Sequence, residues 1–183
     1  EGGCIVPVHA FVDESQRARL YMVAVAIVEP VAVAQLRKDV RALLLPGQRE
    51  LHFKKEKPDR RRQLADAVAR WPVEVTVYTC TYRRHPEPAR QACLQRLLAD
   101  LLDRQAGRLV IDSREEQDRD DERTIRQVLR GHPSARRLTW EHTESTGELL
   151  LALPDLAAWC YGAGGDWRKR IEPILADVLI IDV

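Results

Sequence analysis

Cysteine is scarce in this 183-residue chain and never clustered: Cys4, Cys80, Cys93 and Cys160 form no C-x-x-C pair. That spacing argues against a zinc site and against a disulfide framework, and it points to a reducing compartment. Long apolar runs are also missing. The longest, Leu20 to Val28, falls far short of the roughly 20 residues of a membrane span and lacks the features of a signal peptide, so a soluble, cytoplasmic protein without membrane contact is expected. Neither sign of charge dominates, with 29 Lys and Arg against 28 Asp and Glu; no global field announces nucleic acid or a polycation, and any electrostatic signal has to be local. No G-x-x-x-x-G-K, G-x-G-x-x-G or G-x-S-x-G motif occurs, which disfavours nucleotide hydrolysis, dinucleotide binding and serine hydrolysis. Internal repeats and low-complexity tracts are absent as well.

What is present is an ordinary globular balance, 45% hydrophobic and 31% charged residues, in a length that suits one domain. Val6 to Asp13 is β-branched and aromatic, ends in the polar cluster Asp13-Glu14-Ser15-Gln16, and is followed by the apolar Leu20 to Glu29. The pair predicts a β-hairpin whose second strand is covered on both faces. Pro30 opens a helical pattern to about Leu45, and Pro58 opens another to Trp71. Val73 to Tyr82 alternates as a strand; a long helix follows Pro86 and Pro88 to about Gln105, and Arg108 to Asp112 forms a short strand. A helix around Asp120 to Arg130, a strand over Arg137 to His142 and a helix over Leu149 to Tyr161 complete the pattern. The last helix tolerates Pro154 if that residue sits in the first turn. The tail from Asp166 starts helical, and Val178 to Val183 reads equally as a strand or as a segment that docks a partner. The order is β-β-α-α-β-α-β-α-β-α, an α/β domain with a mixed five-stranded sheet flanked by helices on both faces.

In such sheets function gathers where strand ends meet helices. Asp13 closes the first predicted strand, Asp112 closes the fourth, Glu50 precedes the second helix and Asp155 lies early in the last long one. Four carboxylates from four elements would be costly together, because like charges a few ångströms apart oppose one another's ionisation. Two Mg²⁺ or Mn²⁺ ions would cancel that cost, and such a pair about 4 Å apart hydrolyses phosphodiesters. Singly, each acid has an ordinary structural explanation: Asp13 as a turn residue, Asp112 as a loop cap, Asp155 as a helix-start acid.

The phrases Phe11-Val12-Asp13-Glu14-Ser15, Glu50-Leu51-His52, Ile111-Asp112-Ser113 and Leu151-Ala152-Leu153-Pro154-Asp155-Leu156-Ala157 resemble, in order, the signatures of the domain-of-unknown-function family 3800, over about residues 8 to 162. That resemblance implies an RNase H-like fold in a single domain over 1–183, with its core at about 6–162 and a C-terminal extension at 166–183. It also implies a metal site made of Asp13, Glu50, Asp112 and Asp155, with His52 as a catalytic neighbour. The sequence departs from the family pattern at Gln16, where glycine is usual, at Ser113, where arginine is frequent, and at Pro154, where alanine is common.

His52 has the side-chain chemistry to orient a water, shuttle a proton or touch a phosphate. Glu14 falls on the opposite face of the strand from Asp13 and is assigned no metal. Between Arg49 and Arg62 lie Lys54, Lys55, Lys57, Arg60 and Arg61, a basic stretch beside Glu50 suited to a phosphate backbone. The acidic run Asp112 to Arg123 lacks EF-hand spacing and reads as a solvated loop and helix start, while Trp159 at helical spacing from Asp155 reads as core. The expected activity is a nuclease with two Mg²⁺ or Mn²⁺ ions acting on DNA or RNA. The alternative is a non-catalytic module that binds nucleic acid or protein, as a subunit of a defence or mobile-element complex. A second copy or a protein partner would dock at the C-terminal tail.

Overall fold

The alternating residues of His9–Arg17 (β1) and the doubly apolar Leu20–Val28 (β2) form an antiparallel hairpin in the computed structural model, which describes residues 6–183. Helix α1, Pro30–Leu43, and helix α2, Pro58–Val68, both begin on proline, whose missing N–H costs nothing in the first turn. They lead into β3, Glu74–Thr81, antiparallel to β2. Helix α3, Glu87–Asp103, crosses the sheet to β4, Arg108–Asp112, which pairs parallel to β1; helix α4, Glu115–Leu129, crosses again to β5, Thr139–Thr143, parallel to β4. Helix α5, Ala152–Ala163, ends where Gly164 takes φ +68°, a conformation only glycine adopts without strain. Helix α6, Gly165–Ile171, and strand β6, Leu175–Ile181, close the chain.

The sheet has six strands in the order β5-β4-β1-β2-β3-β6, one more than the sequence pattern predicts. The added strand is the C-terminal tail, which pairs parallel to β3 and is led in by the Val75 N–H donating to the Ile174 carbonyl at 2.8 Å. Residues 166–183 are therefore part of the sheet architecture, with Ile171 and Ile174 buried in the main core. The two readings left open for Val178 to Val183 resolve in favour of a strand, because an apolar β-branched segment beside an unpaired edge satisfies its backbone there.

Each face of the sheet carries its own core. Phe11, Met22, Ala24, Val77 and Val110 face α1, α2 and α5; Ala10, Val12, Val23, Leu109 and Ile111 face α3 and α4. The leucines Leu97, Leu98 and Leu101 of α3 are fully buried, each contributing roughly 1.5–3 kcal/mol. Strand β2 is buried on both sides, as its apolar run predicts.

Two boundaries differ from the sequence pattern in ways that matter for the site. Strand β1 does not end at Asp13 but runs to Arg17, and the hairpin turns at Ala18, φ +53°. Pairing with β4 stops at Val12–Ile111, while pairing with β2 continues to Arg17–Leu20. Residues 13 to 17 thus border an opening on the β4 side, which is why the segment is polar although extended. Helix α4 starts at Glu115, so most of the acidic run after Asp112 is helical.

Candidate active site

Period-two alternation along a strand determines which carboxylates share a face. Asp13 follows Phe11 by two residues and Asp112 follows Val110 by two, so both extend the row of core residues covered by α5. Asp155 lies in the first turn of α5, on the helix that covers this face. Asp13, Asp112, Asp155 and His52 line a single open cleft together with Glu14, Ser15, Gln16, Lys54, Lys55, Arg114 and Trp159. The Asp13 side chain is 11% exposed and Asp155 19%.

Burial and mutual repulsion show in the proton affinities. Asp13 is pushed well above the ordinary carboxylate range by desolvation, then by the charges of Asp155 and Asp112, with only the Glu14 N–H at 2.7 Å and Arg114 opposing. Asp112 rises to about 6 through burial; Arg114 pulls it down, and Asp155 and Glu50 push it up. Asp155 is raised by burial although the Phe53 N–H donates to its Oδ2 at 2.8 Å and His52 Nδ1 lies 3.7 Å away. Among the described residues, no Lys or Arg lies within 4.0 Å of Asp112 or Asp155, and Asp13 has only Arg114, at 3.9 Å.

The other residues expected at the site divide. Glu50 does not line the cleft; its Oε2 accepts a hydrogen bond from the Ser145 hydroxyl, and its charge reaches Asp112 and Asp155 from beside it. Lys54 and Lys55 are exposed in the cleft, and Lys57 is exposed outside it. Arg60 and Arg61, expected at the phosphate contact, do not line the cleft and donate to main-chain carbonyls. Arg60 donates to the Leu43 carbonyl, and Arg61 donates to the carbonyls of Phe53 at 3.0 Å and Lys54 at 2.6 Å, tying the lysine-bearing turn to α2. Arg61 also lies 4.5 Å from the ring centre of Trp159. That tryptophan is half-buried at the cleft wall, with Phe53 and Trp167 packed edge-on at 5.2 and 5.1 Å. The pattern of the sequence accounts for its core contacts but not for its place in the cleft.

On the far face, sequence reasoning missed a second acidic group. Asp121 of α4, read as part of a solvated run, is 2% exposed. Its Oδ2 accepts from Arg90 Nη2 at 2.5 Å and lies 3.2 Å from His142 Nε2; Arg90 Nε donates to Glu14 Oε2 at 3.0 Å. Asp118, 3.9 Å from His142, accepts from the Ser113 hydroxyl and the Arg114 N–H. Asp118, Asp121 and His142 are the one trio of metal-donor type, among the described residues, whose donor atoms all lie within 4.8 Å of one another. Arg90 already neutralises Asp121 there, so the charge that would require a dication is met by a guanidinium. The Asp118, Asp121 and Thr124–Ile125 spacing on one face of α4 was a legible signal for burial; the partners Arg90 and His142, from other elements, were not.

No family model matches the chain, and no curated protein does. Among solved structures it is similar to that of the PCNA:RNase HII complex from Archaeoglobus fulgidus, with a TM-score of 0.53 and 16% identity over 85% of this chain and 73% of that one. The fold is RNase H-like. At this identity the likeness is one of architecture, with β6 standing beyond the five strands the sequence pattern predicts. Among the described residues, no helix is long and apolar enough to cross a membrane.

Proposed function

We propose that this chain is a divalent-cation-dependent nuclease of the family-3800 type, hydrolysing phosphodiester bonds of nucleic acid at the Asp13–Asp112–Asp155 cleft. The observation that carries the reading is the charge imbalance: three half-buried aspartates from β1, β4 and α5 open onto one cleft, and among the described residues two of them have no Lys or Arg within 4.0 Å. Their donors are all hard oxygens, which suits Mg²⁺ or Mn²⁺ and not a thiophilic metal. Asp13, Asp112 and Asp155 would hold the ions, with Glu50 completing the set from beside them. Ions held by these residues would make a water nucleophilic at neutral pH and would neutralise the charge that builds on the phosphoryl group.

The chain's own residues provide the rest. Lys54 and Lys55 on the cleft rim seat a phosphate backbone, an electrostatic contact without base readout. His52, 43% exposed and 3.7 Å from Asp155, is placed to move a proton between the cleft and solvent. The Phe53 N–H holds Asp155 Oδ2, orienting that carboxylate.

The test is cleavage of labelled single- and double-stranded DNA, RNA and hybrid substrates by the purified chain in Mn²⁺, Mg²⁺ or EDTA. Cleavage that needs the metal and disappears in Asp13→Asn supports the reading. Salt-dependent binding with no cleavage in either metal would replace it with the non-catalytic module.

A further inference from the structure

Arg114 is the one arginine among the side chains lining the cleft. Its Nη1 lies 2.9 Å from Glu14 Oε1, its Nη2 lies 3.9 Å from Asp13 Oδ1, and Nη2 also donates to the Glu14 carbonyl at 3.3 Å. The backbone beneath it is fixed, because Asp118 accepts the Arg114 N–H at 2.9 Å and the Ser113 hydroxyl at 2.6 Å. The side chain is 41% exposed. Glu14 has further partners on its other oxygen: Arg90 donates to Oε2 at 3.0 Å, and the Tyr21 hydroxyl donates to the same atom, while Oε1 faces Arg114. The guanidinium can therefore leave Asp13 with the charge of Arg90 still beside Glu14, while its main chain stays in place.

A guanidinium beside Asp13 opposes the binding of a dication there, since their repulsion in a half-buried cleft is only weakly screened. We propose that Arg114 is an exchangeable counterion. It balances Asp13 while no dication is bound, is displaced toward the cleft mouth when one enters, and there contacts a phosphate of the nucleic acid beside Lys54 and Lys55. The inference rests on the metal-site reading above and adds to it a residue with two opposed effects: Arg114 weakens metal binding and strengthens nucleic-acid binding. Arginine suits the second role because its planar fork matches phosphate oxygens two at a time.

The experiment is calorimetric titration of the full chain with Mn²⁺, together with anisotropy of a labelled single-stranded oligonucleotide in Ca²⁺, for wild type, Arg114→Gln and Lys55→Gln. Arg114→Gln is expected to take up Mn²⁺ roughly tenfold more tightly and to bind the oligonucleotide several-fold more weakly, whereas Lys55→Gln leaves Mn²⁺ affinity within about twofold. If wild type takes up no Mn²⁺, the metal-site reading falls and this one with it. If wild type binds Mn²⁺ but Arg114→Gln binds it no more tightly, the exchange alone is overturned; equal tightening in Lys55→Gln also overturns it, by showing a diffuse field instead of a contact. Should Arg114→Gln fail to fold, Arg114→Lys reads the same quantity, because one ammonium cannot span Glu14 and Asp13, and an unchanged Mn²⁺ affinity there counts against the exchange.

Discussion

Asp13 and Glu14 are consecutive residues of β1, equally exposed at 11%, and they face opposite sides of one sheet. On the Glu14 side every buried acid has its counter-charge: Arg90 spans Glu14 and Asp121, and His142 stands between Asp121 and Asp118. Burial alone would raise Asp118, yet hydrogen bonds from Ser113 and Arg114 and the nearby His142 and Arg90 hold it below the ordinary range. On the Asp13 side the acids repel one another, and all three are raised. Burial of carboxylates is therefore no mark of a metal site in this protein. What sets the Asp13 side apart is that Arg114, 3.9 Å from Asp13, and His52, 3.7 Å from Asp155, leave all three carboxyls raised, an arrangement that folding would not retain for stability's sake.

Substitutions on the two faces should then behave oppositely. The largest effect expected is on chemistry: Asp155→Asn lowers metal-dependent cleavage by about a thousandfold or more, while its melting temperature in EDTA does not fall, as kinetic assays and calorimetry would show. Equal loss of activity and fold would erase the contrast between the faces. Next in size is Arg90→Met, which leaves Glu14 and Asp121 buried and unbalanced and is expected to cost about 3–5 kcal/mol by urea denaturation, with or without Mn²⁺. A variant as stable as wild type would show that the far-face network contributes nothing to the fold.

A smaller effect of opposite sign is expected at Asp112. Its proton affinity in the fold, about 6, exceeds the ordinary 3.8, so its contribution to stability is present below pH 3.8 and lost as the pH rises through 6. In EDTA at pH 7.5, Asp112→Asn should gain about 1–2 kcal/mol, a value reduced for solvent screening, and that gain should vanish near pH 4. Saturating Mn²⁺ should reverse the order, since only wild type then retains its full set of carboxylate donors. The smallest effect sharpens the site's outer edge: Lys54→Gln and Lys55→Gln should each weaken nucleic-acid binding a few-fold and lower the salt dependence of log K by about one counterion, measured from 50 to 200 mM salt.

How much of this was legible in the chain follows from the range of the interactions involved. Strands and helices are written in short-range periodicity, so α1, α2 and β2 stand where alternation and the proline starts put them. The pairing of Asp13 with Asp112 was legible in the same terms, because both follow an apolar residue by two and both strands belong to one sheet. The end of β1 was not legible: a polar stretch reads as a turn, and only the unequal lengths of the β2 and β4 ladders beside it let the strand continue to Arg17. Arg60 and Arg61 look like free charges in a basic run until their carbonyl partners, 7 to 17 residues away along the chain, are brought against them by the fold of the α1–α2 connection.

The amino-acid sequence by itself determined the layered α/β plan, the buried central hairpin and the identity of the acids, since each depends on residue type and on spacing of a few positions. The tertiary structure alone decided that the C-terminal tail is a sixth strand, that Arg114 stands beside Asp13, and that one group of buried acids is neutralised by Arg90 while the other is not. Those outcomes hang on contacts between residues far apart in the chain, 31 positions for Arg90 with Asp121 and 100 for Arg114 with Glu14. Electrostatic energy depends on separation in space, which sequence spacing does not encode.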